Sequence, residues 1–589
     1  MGAFAQPKGV PNLVWPPGVN KTVFVPGVAA TKVTRTNHPA FITYRIFSLC
    51  AFVIFSSSWI AIGAGPLSQS VAHPDQARRM YESGMRLVQD KHLDEAIKTF
   101  EQGLQSEPKN TVLLNAIGSV YCLKDNTQKA EGYFLKALSV DPQFTPARKN
   151  LAITYFNSGK YDLAKTQFEK LSQSPANGSL ASLFLGMIAQ KKGEYSGAVG
   201  FFQKAGDLAY QYPDSILSLA QSLYKSNQEL KSQIVLAKLG NVPGVSAKQW
   251  FEAGRLYCSL DCYELALEDL GKAKDLDPRI PNLDYLRAYV LSKMGRSSDA
   301  LEILQDLAAR EPDPEPLNLL GHVAQDAGNV QLSLDAFKKA VDLAPDREEN
   351  YLDYSTLCIG YGNSALALNV VKIGLEHIPH SYRLTVQEGA IFANLGKQEE
   401  ARNAFQSAVS LRSDNKEAFL GLGVALTASD HFDEAIRTYG EGIKRFPNDF
   451  NLSYYYAFAL FRTAQHQGLK GEATAGVRSA IEKALQLNPR FAGASYLRAK
   501  YYTVMDPNPR LAIKDLERCL RLDPRYVPAR YQLALLYAKT NKKQEADNLL
   551  REVREVQAEE LKKEQDHARL VIVERGTPSQ IKSGGKVSP

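Results

Sequence analysis

Over 75–555, apolar residues recur at spacings of three and four in stretches that close on Gly or Pro, which predicts a succession of short amphipathic helices. A longer period organises them. Prolines that end a helical stretch stand at Pro108, Pro142, Pro278, Pro312, Pro345, Pro379, Pro447, Pro489 and Pro524; the steps 108 to 142, 278 to 312 and 345 to 379 are each 34 residues. From 379 to 447 is two such steps, with Ser413 where the proline is missing.

Twelve residues before these markers stand Ala96, Ala130, Ala266, Ala300, Ala367, Ala401, Ala435 and Ala512, with Ser333 and Val477 as substitutes. Twenty-four residues before them stand Gly84, Gly118, Gly254, Ala288, Gly321, Ser355, Gly389 and Gly423. Each unit therefore reads as two helices joined by a short turn, with small residues where the helices approach. Eight residues before the marker comes a large side chain (Phe100, Phe134, Leu270, Leu304, Phe337, Phe405, Tyr439, Leu516), expected to pack against the neighbouring pair. Gly159, Gly193, Gly295, Gly328, Gly362 and Gly396 sit where the first helix must end, and the proline closes the second.

This register resembles the tetratricopeptide repeat (TPR), most nearly over 247–280, where Trp250, Gly254, Leu256 or Tyr257, Ala266 and Pro278 follow that family's pattern. The resemblance covers 75–555 and implies an all-α, right-handed α-solenoid, a superhelix of about fourteen TPR helix-turn-helix repeats. Three departures stand out. Near 173–244 the register drifts, and the stretch 215–242 has lost its second-helix Ala. The step from Pro447 to Pro489 is 42 residues, which puts an eight-residue insertion near 465–475, read as a longer turn or mobile loop. Past Glu555 a charged capping helix and a disordered tail are expected over 556–589.

The N-terminal region differs in kind. Residues 1–45 are Pro- and Gly-rich without periodicity and read as disordered, whereas 46–62, IFSLCAFVIFSSSWIAI, carries no charge and ends before Gly63, Gly65 and Pro66. The chain has 70 Lys and Arg against 63 Asp and Glu, but Lys8, Lys21, Lys32, Arg35 and Arg45 precede the apolar segment and no acid occurs before Asp75. Removing those five leaves 65 against 63, so the body is nearly neutral and a nucleic-acid partner is not expected. The flanking charge predicts a cytoplasmic N-terminus, with 46–65 a signal peptide or single anchor and the repeats periplasmic, secreted or membrane-anchored outside the cytoplasm. Organellar import and a buried cytosolic helix are the alternatives.

Catalytic motifs are lacking: no phosphate-cradling loop, no nucleophile elbow and no His-Glu-x-x-His. His377 and His380 flank a boundary proline without completing a metal set. Cys258 and Cys262 straddle a turn and read as separate packing residues, a disulfide being the alternative. No cofactor and no metal are expected.

In the resembled family the first helix of each pair lines a concave groove that holds peptides or partner helices. The corresponding stripe here is Tyr81, Lys149, Phe156, Tyr224, Lys248, Phe251, Arg255, Tyr285, Tyr289, Asn318, His322, Tyr454, Phe458, Phe461, Tyr496 and Tyr531. Rings that bury area at low entropic cost, interspersed with cations, suit a protein or peptide partner. The function so implied is a non-catalytic scaffold; the rival is an accessory assembly subunit of a cell-envelope complex, for polysaccharide export or outer-membrane biogenesis, binding through its convex face or the 465–475 loop. Packing between neighbouring repeats is the alternative role for any one ring of the stripe.

Overall fold

The computed structural model describes residues 74–574, with side chains described over 76–559. The expectations for 1–45, for the apolar segment 46–65 and for the C-terminal tail lie outside the described residues. Among the described residues, 28 α-helices follow one another as fourteen pairs, with no strand. No described helix is long and apolar enough to cross a membrane.

The helices fall into two compact units, one ending at Arg310 and one starting at Glu311, with seven pairs in each. In both, the proline register sets the helix ends. Second helices stop two residues before Pro108, Pro142, Pro278, Pro312, Pro345, Pro379, Pro447, Pro489 and Pro524, at Ser106, Val140, Leu276, Arg310, Leu343, His377, Arg445, Leu487 and Leu522. The following first helix is often opened by a side-chain cap: the Asn110 carboxamide accepts the Val112 and Leu113 N–H groups at 3.0 Å, and Ser246 with Gln249 forms a capping box.

In the first eleven pairs the turn is built more uniformly than glycine placement suggests. Left-handed residues occur at Lys91, Asp125, Gly159, Gly193, Asn227, Asp261 and Gly295 in the first unit, and at Gly328, Gly362, Gly396 and Asp430 in the second. Successive members are 33 or 34 residues apart, so Lys, Asp and Asn accept at some turns a conformation that glycine takes freely at others.

The core of each pair is the expected small-residue contact. Ala96, Ala130, Ala266, Ala300, Ala367, Ala401, Ala435, Ala512 and Ser333 are all 0% exposed. The large side chains pack within their own pair as well as on the neighbouring one that the sequence suggested. A methyl group on Gly84 would meet Phe100 at 2.3 Å, on Gly118 Phe134 at 2.6 Å, and on Gly321 Phe337 at 2.7 Å. Contact with the next pair is as close or closer in places: Phe405 lies 2.3 Å from where a methyl on Gly421 would be, against 3.0 Å for Gly389 of its own pair, and Phe168 stacks on Phe184 at 4.7 Å.

The drifting stretch keeps the register after all. Ser232, 34 residues before Ala266, is 0% exposed, and its hydroxyl donates to the Ala220 carbonyl at 2.7 Å. Ser333 donates to Gly321 at the same distance in the same position. What is irregular there is length, since the second helix Glu229–Leu236 has eight residues and passes into a 3-10 turn, Ala237–Asn241. The insertion is likewise absorbed as structure and not as a free loop. Helix Phe450–His466 runs to 17 residues, and the 3-10 turn Gly471–Thr474 is tied to the next pair by the Gly471 N–H to the Met505 carbonyl at 2.9 Å and by buried Thr474 against the Tyr501 hydroxyl at 3.1 Å.

Candidate functional site

The first helices of successive pairs lie side by side, and their polar residues tie one pair to the next. In the first unit the Asn150 carboxamide donates to Asn115 at 3.0 Å and to Ser119 at 3.1 Å, all three buried. Gln190 donates to Gln221 at 2.6 Å and Gln249 to Asp214 at 2.8 Å. In the second unit Asn318 donates to Asp353 at 2.8 Å, and Arg383 meets Glu348 at 3.0 Å and Glu349 at 2.9 Å. Where these groups are buried, as at Asn115, Ser119 and Asn150, such bonds fix the register of neighbouring helices without drawing on solvent.

What is left of the stripe divides into core and surface. Tyr454 and Phe461, expected on the binding face, are 3% and 1% exposed. Tyr454 packs among Phe450, Tyr455 and Phe491 at ring separations of 5.0–6.0 Å. Phe450 and Tyr454 both stand edge-on to Phe491 at 5.0 Å, so an aromatic cluster occupies this part of the core. Phe458 and Tyr496 are half-buried against the same core, Tyr496 tilted on Tyr526 at 5.1 Å, and burial pushes the Tyr496 hydroxyl up to about 12.

Elsewhere the stripe keeps accessible surface. Tyr81, Lys149, Phe156, Tyr224, Phe251, Arg255, Tyr285, Tyr289 and Asn318 are half-buried, and Lys248, His322 and Tyr531 are exposed. Phe156 makes edge contacts with Phe184 at 5.2 Å and Tyr161 at 5.8 Å, which fixes its ring while one face stays open. Lys225 lies over Tyr224 at 5.5 Å and Lys293 over Tyr289 at 5.3 Å, while Arg255 pairs with Glu252. Burial raises the Tyr81 and Tyr289 hydroxyls and lowers the Lys149 amine. His322 sits 3.4 Å from the Asp353 carboxylate that also accepts from Asn318, with its ring edge-on to Phe337 at 5.0 Å. Asn318 and His322 are thus brought together on one acid, which their spacing of four in the sequence allowed.

Two cations on this face escaped the sequence reading. Arg462 is exposed and Lys500 half-buried, on consecutive first helices. The signal for Lys500 was present: it follows Ala499 as His322 follows Gly321 and Arg255 follows Gly254, but Pro524 lies 35 residues after Pro489 and shifts the count by one.

Among the described residues, no cluster of three or more His, Cys, Asp or Glu is placed to hold a metal. His377 stacks on Tyr351 at 6.5 Å. Cys258 and Cys262 are both free thiols; burial pushes Cys258 up to about 12, and Gln233 donates to the Cys262 sulfur at 2.8 Å.

Comparison with known proteins agrees with this repeat. Family models described as tetratricopeptide repeat match residues 395–461, and, with a second model, 149–213 and 285–348. The TPR repeat-containing protein YpiA of Bacillus subtilis is 24% identical over 44% of this chain and 62% of its own length. Anaphase-promoting complex subunit 3 of Schizosaccharomyces pombe is 23% identical over 35% of this chain and 32% of its own. The chain thus matches less than two thirds of the length of either relative. The crystal structure of yeast Tom70 aligns over 80% of this chain and 97% of its own at 16% identity, with a TM-score of 0.35. The helix pair repeated fourteen times among the described residues, its Gly, Ala and Pro register, and the three stretches matched by family models show that the chain carries tetratricopeptide repeats.

Proposed function

We propose that the protein is a non-catalytic scaffold that holds a protein or peptide partner against the exposed first-helix stripe within each unit. The observation that carries this reading is the division of the first-helix face: polar groups such as Asn150 and Asn318 are engaged in ties between pairs, while rings and cations such as Tyr285, Tyr289, Lys248, His322 and Tyr531 keep surface toward solvent. Large rings already fixed by their neighbours gain contact area at small entropic cost, which suits them to recognition. One relative is named as a subunit of a multiprotein complex, in keeping with such a role.

We place the repeats outside the cytoplasm, exported or anchored in the membrane. Support comes from the uncharged stretch 46–62 with five cations and no acid before it.

The test is to replace Tyr285 and Tyr289, or Tyr496 and Tyr531, by Ala and to map partners by crosslinking in cells. Loss of partner contacts at the altered unit is expected; partners retained through both double changes would sink the reading. Protease added outside intact cells should degrade the repeats, and full protection would refute the location. The rival, an envelope-assembly subunit that binds through its second helices, draws support from Leu230 and Ile234, 70% and 56% exposed one turn apart on Glu229–Leu236. Aspartate at both positions would then abolish partner contacts that the tyrosine changes leave intact.

A further inference from the structure

In the unit that starts at Glu311, two neighbouring cations lack a counter-charge. Arg462 lies near the end of Phe450–His466, and Lys500 lies on the next first helix, Ala492–Val504. Lys500 is half-buried with its amine 5.6 Å from the centre of the Phe461 ring, and the Arg462 guanidinium lies 5.5 Å from the Phe432 ring. Neither has an acidic partner among the described residues. On the second helices either side of Ala492–Val504, Glu482 is engaged by Arg478 at 3.0 Å and Asp515 by Arg498 at 2.7 Å. Burial, and after it the like charge of Arg462, lower the Lys500 amine below its ordinary value. The following first helix, Val527–Lys539, shows Tyr531 at 47% and Leu535 at 39% exposure.

We propose that Arg462 and Lys500, with Tyr531 and Leu535 on the adjoining helix, form a recognition surface for a peptide segment that carries carboxylate side chains between apolar ones. The inference rests on the partner-binding reading above and names the partner's chemistry. Two like charges held close, one of them half out of water, repel each other in the free protein, and a carboxylate set between them relieves that repulsion and restores the lost solvation. The guanidinium supplies a planar fork and the ammonium a point charge, so one acid side chain satisfies both. Because Lys500 is recessed among rings, a projecting side chain reaches it and a flat anionic lipid surface does not.

The experiment uses the full chain and a short labelled peptide alternating Glu with Leu and Tyr, its Gln counterpart, and vesicles of phosphatidylcholine with phosphatidylserine. The Glu peptide should bind, the Gln peptide about tenfold more weakly, and added salt should narrow that gap. Lys500→Met, which keeps the stem on Phe461, and Arg462→Gln should each cost the Glu peptide about tenfold with helicity and hydrogen exchange unchanged. Tyr531→Ala should weaken both peptides alike. If Lys500→Met binds the Glu peptide as wild type does, or the two peptides bind equally, the acid preference is refuted, while loss in Tyr531→Ala would still uphold a partner face. No binding of the Glu peptide below about 1 mM, or binding to vesicles alone, overturns the proposal.

Discussion

The ring of Tyr439 lies so close over Gly423 that a methyl group there would come within 2.3 Å of the ring's Cε1 and 2.5 Å of its Cζ. Gly423→Leu should therefore destabilise that pair by about 1–3 kcal/mol through overpacking. Since each pair in a repeat array mainly contacts its neighbours, the faster hydrogen exchange should be centred on 416–445, with pairs before Arg310 keeping their protection. Uniform loss of protection would count against an array.

Lys91 holds a left-handed backbone at φ 64° in the turn where other pairs place glycine at φ 71° to 78°. Lys91→Gly removes that steric cost at the price of a looser unfolded chain, and should leave a net gain of about 0.5–1 kcal/mol, read as slower exchange in Pro74–Gln89 and Leu93–Ser106. Faster exchange there would contradict the assignment of that turn.

Ser232 occupies the position that alanine fills in most pairs, so Ser232→Ala should change stability by less than about 1 kcal/mol. Ser232→Leu has no room at a site 0% exposed and should destabilise the pair more strongly. Thermal melts of the two variants decide whether the register runs unbroken through 215–242.

Asp515 is buried with a side chain 5% exposed, and the Arg498 guanidinium binds both its oxygens, at 2.8 and 2.7 Å. Arg498→Leu strands the carboxylate and should cost about 3 kcal/mol, whereas adding Asp515→Leu should recover most of the loss. A double-mutant cycle by chemical denaturation measures it, and additive losses would show that the pair is not coupled.

Lys500 is held below its ordinary value by burial and by Arg462. The folded state thus disfavours the charged amine; this cost is complete at pH below the folded-state value and is relieved as pH rises through it towards the unfolded value. Lys500→Met should accordingly melt at or above wild type at neutral pH, with the difference shrinking in the alkaline range. A variant less stable than wild type at neutral pH would show that the ammonium is stabilised by a group on the protein.

The repeat itself was legible because close packing writes itself into residue size: Gly, Ala and Pro at fixed steps are steric requirements that each pair must meet. The exits at Lys91, Asp125, Asn227, Asp261 and Asp430 were hidden because a bearable cost in backbone energy leaves no compositional mark, unlike the glycines beside them. Ser232 was missed because a hydroxyl can stand in for a methyl when a carbonyl accepts from it. On the binding stripe the pattern located the helix face but not its depth. Helical spacing does not separate Tyr454 and Phe461, which lie in the core, from the half-buried Phe458 and Tyr496 on the same stripe, and the step of 35 into the next pair took Lys500 out of the count.

The partners sixteen residues apart are fitted to each other. Gly84, Gly118 and Gly321 sit under phenylalanines, Gly423 under Tyr439 and Gly254 under Leu270, every one of these large side chains 0% exposed. Neither residue of such a couple can change volume alone without a clash or a void. Descendants of this gene that alter one codon of a couple should carry a compensating change in the other, so at these sites the unit of inheritance is the couple, and a single variant there is a step toward a second.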